Sequence, residues 1–391
     1  RIYVKRQMGL QCFFLLHADN FLKVGGRLAA VLPAATFYTS YGQGIRRMFV
    51  ENYSIEYLIA SDAQATFSEQ CDFKEVLFVA KRAKGENWRA KFVSLKLPLA
   101  LENCKRIASN LASIQEDYED EEVRVRCVSK RLLRQEQNWM VFTYPKDFSS
   151  ILKEIHDKAS EKLAACQSIV KDIARGFETY GPEFFFIPNR FWTIRKDDED
   201  MIEICNESTR QTISIPKQYF VKAMRKPELY MNEISPKLAH YVLCLPPYDM
   251  RSLPTDVRTY IRWGELQGIK AITAARDKDF WFSFVYRQLQ KKRLYGRVAF
   301  VRKFRITTSG VLAHYFKDKV TGAKGFYLLT TSDKDLDMLL GAWFNSTPFI
   351  AEYLWTRRVI QGAWSELMIE DLKRIPCLDI RQLDAETVKT I

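Results

Sequence analysis

The densest run of chemistry-bearing side chains lies between Phe280 and Arg305, where Arg287, Lys291, Lys292, Arg293, Arg297, Arg302, Lys303 and Arg305 follow one another without an intervening acid. Trp281, Phe282, Phe284, Tyr286 and Tyr295 are interleaved with them. Cations at this density neutralise phosphates, and aromatic faces stack on bases, so the stripe has the composition of a nucleic-acid-binding surface. A segment whose cations face solvent while its aromatics enter the core has the same composition, and the sequence leaves both readings open. A second basic site, Arg357-Arg358 ahead of "IQGAW", falls where a loop is expected. The guanidinium fork matches O6 and N7 of guanine, which makes these two residues candidate base readers, with phosphate contact as the alternative.

Phe67 in "ATFSEQ" is a candidate of another kind. Its neighbours Thr66, Ser68, Glu69 and Gln70 are polar and point to an exposed loop, although a lone Phe serves equally well as a core residue. Other chemistries find little support. His17, His156, His240 and His314 stand singly, and eight scattered cysteines form no C-x-x-C pair, so buried reduced thiols are expected rather than a zinc or redox centre. No glycine-rich phosphate loop, catalytic triad or metal-ligand spacing occurs, and no metal is expected.

These candidates need a scaffold, and 391 residues at 47% hydrophobic and 13% aromatic suffice for two or three packed domains. Sixty Lys+Arg against 47 Asp+Glu give a net charge of +13, which favours a polyanionic partner. No apolar run approaches the roughly 18 residues of a membrane span, and Arg1-Ile2-Tyr3 lacks the build of a signal peptide, so a cytoplasmic protein is expected. Residues 12 to 82 alternate helix and strand in the manner of a parallel α/β sheet. Phe13, Phe14, Leu16, Ala18 and Phe21 form an apolar helical stripe, with Gly25-Gly26 as its stop. Strand "RLAAVLP", a helix near residues 41 to 51, and strands "IEYLIAS" and "EVLFVAKR" follow. The last two are joined without a crossover helix and must pair antiparallel. From about 100 to 165 the pattern turns helical and charged, with "EDYEDEE" (116 to 122) read as a solvated face. Beyond 165, short β-like stretches precede a helix at 333 to 346, as in a separate mixed α/β domain.

A doubly wound sheet whose final strand is reversed is the arrangement of S-adenosylmethionine-dependent methyltransferases. Residues 8 to 82 resemble the rear half of the catalytic domain of adenine-N6 DNA methyltransferases, the restriction-modification group that includes the TaqI type. The resemblance rests on the Gly25-Gly26 turn, the strand ending "VLPA" at Pro33-Ala34, and Phe67 opening the loop before the last hairpin. It implies a pocket for a flipped adenine in which Phe67 stacks on the base, with Pro33 and the polar Gln70 nearby. The family's cofactor loop and its Asn/Asp-Pro-Pro-Tyr/Phe catalytic motif would lie upstream of this stretch. "LPPY" at 245 to 248 is no substitute, since Leu245 offers no hydrogen-bond acceptor.

The second half resembles the target recognition domain of large adenine methylases. "IVKDIARGFETYGPEFFFIP" (169 to 188), "YIRWGELQGI" (260 to 269) and "DFWF" (279 to 282) are similar to its opening and middle segments. Asn345, Ser346, Gly362, Asp371, Leu372, Lys373 and Pro376 match its closing signature in order. The resemblance therefore implies an α/β chain comprising the C-terminal half of a methyltransferase catalytic domain (1–90), a helical charged connector (91–165) and a DNA target recognition domain (166–391). The implied parent transfers a methyl group from S-adenosylmethionine, bound mainly by an upstream half, to adenine N6 in a specific sequence of double-stranded DNA. The chain alone is expected to be inactive, with the N-terminal half or a restriction subunit as partner. A sequence-reading DNA-binding module without catalysis is the alternative.

Overall fold

The computed structural model describes residues 3–4, 8–64, 66–69, 71, 73–269, 280–305, 310–356, 358–359, 364–383 and 386. It divides into two compact units, Arg1–Lys158 with Leu354–Glu366 and Ala159–Tyr353 with Leu367–Ile391. Both are α/β. No helix among the described residues is long and apolar enough to cross a membrane.

The first unit is built on a six-stranded sheet of order β1-β3-β2-β4-β6-β5. Its strands are β1 (Arg27–Pro33), β2 (Tyr53–Ser61), β3 (Glu75–Arg82), β4 (Arg89–Leu95), β5 (Tyr118–Glu119) and β6 (Val123–Ser129). β3 pairs antiparallel with both β1 and β2, so the reversed hairpin strand lies between two strands that point the same way. Alternation sorts the side chains by face. Leu32, Val76, Phe78, Ala80, Ile55 and Leu58 enter one buried cluster with Ile45, Met48 and Phe49 of helix α2 (Gln43–Asn52). On the opposite face Val93, Leu95, Val123 and Val125 pack beneath Ile107 and Leu111 of helix α3 (Leu101–Ser113).

Three expectations need correction. Helix α1 (Leu10–Phe21) buries Cys12 and Leu15, while Phe13, Phe14 and Phe21 of the expected inner stripe are exposed. The helix also stops before the glycines, at an extended Leu22; Gly25, at φ 88°, instead makes the turn into β1, where its N–H donates to Arg82 O. The stretch from 91 is not a helical connector: β4 pairs parallel with β2, and β6 pairs antiparallel with β4, so the chain returns to the first sheet. The charge of 116 to 122 masked this, because its acids stitch a hairpin together. Asp120 accepts from the N–H groups of Glu122 and Val123, while Glu119 pairs with Lys96 and Arg124. Helices α4 (Lys130–Gln135) and α5 (Lys146–Ala159) follow β6.

The second unit contains a seven-stranded mixed sheet of order β8-β18-β15-β17-β13-β14-β9. Its strands are β8 (Asp172–Arg175), β9 (Phe186–Ile187), β13 (Phe220–Met224), β14 (Tyr241–Leu243), β15 (Gly296–Val301), β17 (Ala313–Gly322) and β18 (Phe326–Thr330). A smaller antiparallel sheet joins β10 (Trp192–Asp197), β11 (Met201–Asn206) and β12 (Thr212–Pro216). Outside these lie β7 (Leu163–Ala165), paired with residues 376–378, and β16 (Lys303–Arg305). The helix Thr255–Leu266 packs an aromatic cluster: Tyr260 is fully buried and donates from its hydroxyl to Phe184 O at 2.8 Å. A Cβ at Gly264 would come within 2.5 Å of the Phe184 ring and 2.8 Å of Trp281, so this position must be glycine for the rings to meet the helix. "LPPY" belongs to this unit, with Leu245 wholly buried.

Candidate functional site

In open α/β sheets ligands bind at the carboxyl ends of the strands. In the first unit that edge is formed where β1 ends at Pro33 and β2 at Ser61. The last rung of the β1–β3 ladder joins Pro33 to Glu75, and the next residue, Ala34, donates its N–H to Lys74 O at 2.8 Å. Alternation sends the Glu75 side chain to the face shared with Leu77 and Val79. There its carboxylate accepts the backbone N–H groups of Phe67 at 2.9 Å and Ser68 at 2.8 Å. Glu75 thus ties the Phe67 turn to the rung that ends β1 at Pro33. Gln70, the third member of the expected pocket, lies outside the described residues.

Phe67 is half-buried and packs on the cluster of Val93, Leu95, Ile107 and Leu111. Glu75 is only 6% exposed. Burial by itself would raise its carboxyl pKa, but the Ser68 and Phe67 amides outweigh that and hold it below the ordinary value. Sequence reasoning misses Glu75. Its one signal is an acid opening the otherwise apolar run "EVLFVA".

Two other polar side chains at this edge are committed within the chain. Ser61 Oγ accepts from the N–H groups of Ala63 and Gln64, and Gln64 Oε1 accepts from Leu99 N–H. On the opposite face Ala34, Tyr38, Lys74, Asn138 and Thr143 line a shallow hollow. A cleft of about 410 Å³ between α2 and α4 is lined by Arg46, Arg47, Glu51, Arg134 and Glu136. Arg46 is buried there, which lowers its pKa to about 10, and donates to the carbonyls of Thr36 and Thr39, so it holds the turn after β1.

In the second unit the basic stripe separates into parts with different tasks. Trp281 and Phe282 are 3% exposed and, with Phe284, Tyr286 and Tyr295 packed against the same cluster, belong to the core. The interleaved aromatics therefore hold the fold together rather than form a stacking platform. Arg287, Lys291, Arg293 and Lys303 are exposed. Arg297 is structural: its guanidinium donates to Lys317 O and to the carboxylate of buried Asp337. Arg302 is half-buried, and the side chains of Lys292 and Arg305 lie outside those described. In the chain, strand β15 lies between Lys303 and the group of Arg287, Lys291 and Arg293. Arg357 lies outside the described residues. Arg358 opens a two-residue strand paired with residues 364–366, and its side chain is likewise outside those described.

The eight cysteines are free, six of them buried and Cys71 and Cys104 half-buried. Among the described residues no three His, Cys, Asp or Glu side chains are grouped so that they could hold a metal ion.

No protein-family model and no curated protein sequence matches the chain. Among solved structures, it is similar over its whole length to the type IIG restriction endonuclease BpuSI, at 16% identity and a TM-score of 0.39, and covers 45% of that protein. Over 32% of its length it is similar to a type I restriction-modification methyltransferase subunit from Streptococcus thermophilus, at 18% identity and a TM-score of 0.26, covering 28% of that chain. A third similarity, again over 32% of the chain, is to the M protein of the type I restriction enzyme EcoKI, at 16% identity and a TM-score of 0.23, covering 35% of that protein. The chain thus spans less than half the length of each.

Proposed function

We propose that the chain is the C-terminal portion of a restriction-modification DNA methyltransferase that transfers a methyl group from S-adenosylmethionine to adenine N6 at a specific sequence. The observation that carries this reading is the Phe67 turn held by Glu75, the ladder partner of Pro33 at the end of β1. An extruded base needs an apolar face to replace its stacking neighbours, and a half-buried phenylalanine on an otherwise polar turn supplies one. Among the described residues the outer edge of β1 is unpaired and the phenylalanines of α1 are exposed. Both features support a sheet that continues beyond the described strands, since such an edge otherwise invites aggregation.

S-adenosylmethionine, which supplies the methyl group when bound, is assigned mainly to an upstream part of the parent protein. This chain's task is to hold the target base at the Phe67 turn and to grip double-stranded DNA through Arg287, Lys291, Arg293 and Lys303, the exposed cations of the target recognition unit. In the second reading the chain alone is a sequence-reading DNA module. The test is transfer of labelled methyl from S-adenosylmethionine to mixed-sequence duplex DNA, by the parent protein and by the 391-residue chain separately. Transfer by the parent alone is expected; DNA binding without transfer by either overturns the enzymatic reading in favour of the binding module.

A further inference from the structure

We infer that Glu75 is a positioning residue that presets the Phe67 turn for the extruded base, an inference that rests on the methyltransferase reading above. Two backbone donors converge on one oxygen of its carboxylate, the N–H groups of Phe67 and Ser68 at 2.9 and 2.8 Å. The turn at 66 to 69 belongs to no helix or strand, so its backbone gains no support from a ladder. Glu75 supplies that support from a fixed point, the rung it shares with Pro33. A carboxylate accepting from two amides is among the stronger hydrogen-bonding arrangements.

Residue type and burial argue for a task beyond packing. Placing an acid at 6% exposure in an apolar strand is costly unless it is hydrogen-bonded, and here both amide donors come from the loop that carries the aromatic. A loop ordered in advance does not lose its ordering entropy anew at each binding event, and it holds the ring at the place where the base arrives. Glu75 thereby acts through Phe67 and touches no substrate itself.

The test is a double-substitution cycle in the parent protein, reading kcat/KM for methyl transfer to mixed-sequence duplex DNA. Glu75→Ala and Phe67→Ala are each expected to lower it, Glu75→Ala by about ten- to a hundredfold, the effect of losing a charge-assisted hydrogen bond. In the Phe67→Ala background Glu75→Ala is expected to add little, because its effect is exerted through the ring. Glu75→Gln keeps one carbonyl oxygen for both amides and is expected to restore most of the activity. Losses that multiply, or a Glu75→Ala variant as active as the parent, overturn the inference. Amide hydrogen exchange across 66 to 69 gives a second readout that needs no activity: it is expected to quicken in Glu75→Ala, and unchanged protection overturns the inference. Failure of the methyltransferase reading looks different, as the unsubstituted parent then transfers no label.

Discussion

Arg297 and Asp337 form a 3.0 Å ion pair in which the carboxylate is completely buried and the guanidinium side chain is 17% exposed. The pair ties β15 to the helix Lys334–Phe344, and Asp337 also accepts the Thr331 N–H at 2.6 Å. Removing one partner leaves a buried charge without its counterion, which costs about 3–5 kcal/mol. Arg297→Gln is therefore expected to destabilise the second unit by that order in urea unfolding, with the DNA affinity of the folded fraction unchanged. Unchanged stability with weakened DNA binding would return Arg297 to the phosphate-binding group.

The exposed cations should behave in the opposite way. Glutamine at Lys291, Arg293 or Lys303 is expected to leave unfolding midpoints unmoved and to weaken duplex DNA binding evenly across sequences. Each phosphate that is no longer neutralised should flatten the slope of log affinity against log salt by about 0.9. A change of preferred sequence instead of slope would make the substituted residue a base reader.

Acid should loosen the second unit through its histidines. Burial lowers the pKa of His314, outweighing its hydrogen bond to Glu233 O, and burial likewise lowers that of His240. The unfolded chain binds protons that the folded chain refuses, so this contribution is full above 6.5, the ordinary value, and is lost as the pH falls from there toward the lowered folded values. Urea unfolding between pH 7.5 and 5 is expected to show stability falling with pH, less steeply in His314→Gln. An equal slope in the variant would exclude His314 as a source.

Gly176 offers a test of backbone packing. A Cβ there would stand 2.3 Å from the carbonyl oxygens of both Gly322 and Ala323, where Phe177 N–H donates to Gly322 O at 3.0 Å. Backbone cannot yield as a flexible side chain does. Gly176→Ala is expected to cost at least about 1–3 kcal/mol by thermal or urea unfolding; wild-type stability would show that β17 and β18 shift to accommodate it.

The sequence motifs are legible where they encode packing. Gly176, Tyr260 and Gly264 each answer to a specific close approach, and Asn345 accepts from the N–H groups of Leu312 and Ala313 while donating to Ala313 O and Gly341 O. Such arrangements leave a mark in residue type and spacing. The reversed strand β3 is legible for a similar reason, since a link without a crossover helix admits one direction. The strands β4 and β6 are hidden because the charges of the neighbouring hairpin dominate local composition, and those charges are neutralised by partners distant in sequence. The exposed stripe of α1 misleads, and the aromatics of 281 to 295 leave two readings open, because periodicity shows which residues share a face, not which face is covered. Glu75 leaves only a faint mark in the sequence, an acid at the head of an apolar strand, because its hydrogen bond reaches eight residues back along the chain.

Adenine N6 as the methyl acceptor is decided by identifying the methylated nucleoside. Duplex DNA incubated with the parent protein and S-adenosylmethionine is digested to nucleosides and separated by mass. N6-methyldeoxyadenosine is the expected product, strongly reduced in Phe67→Ala. A methylated cytosine product, or no methylated nucleoside from a folded protein that binds the DNA, would contradict the proposed function.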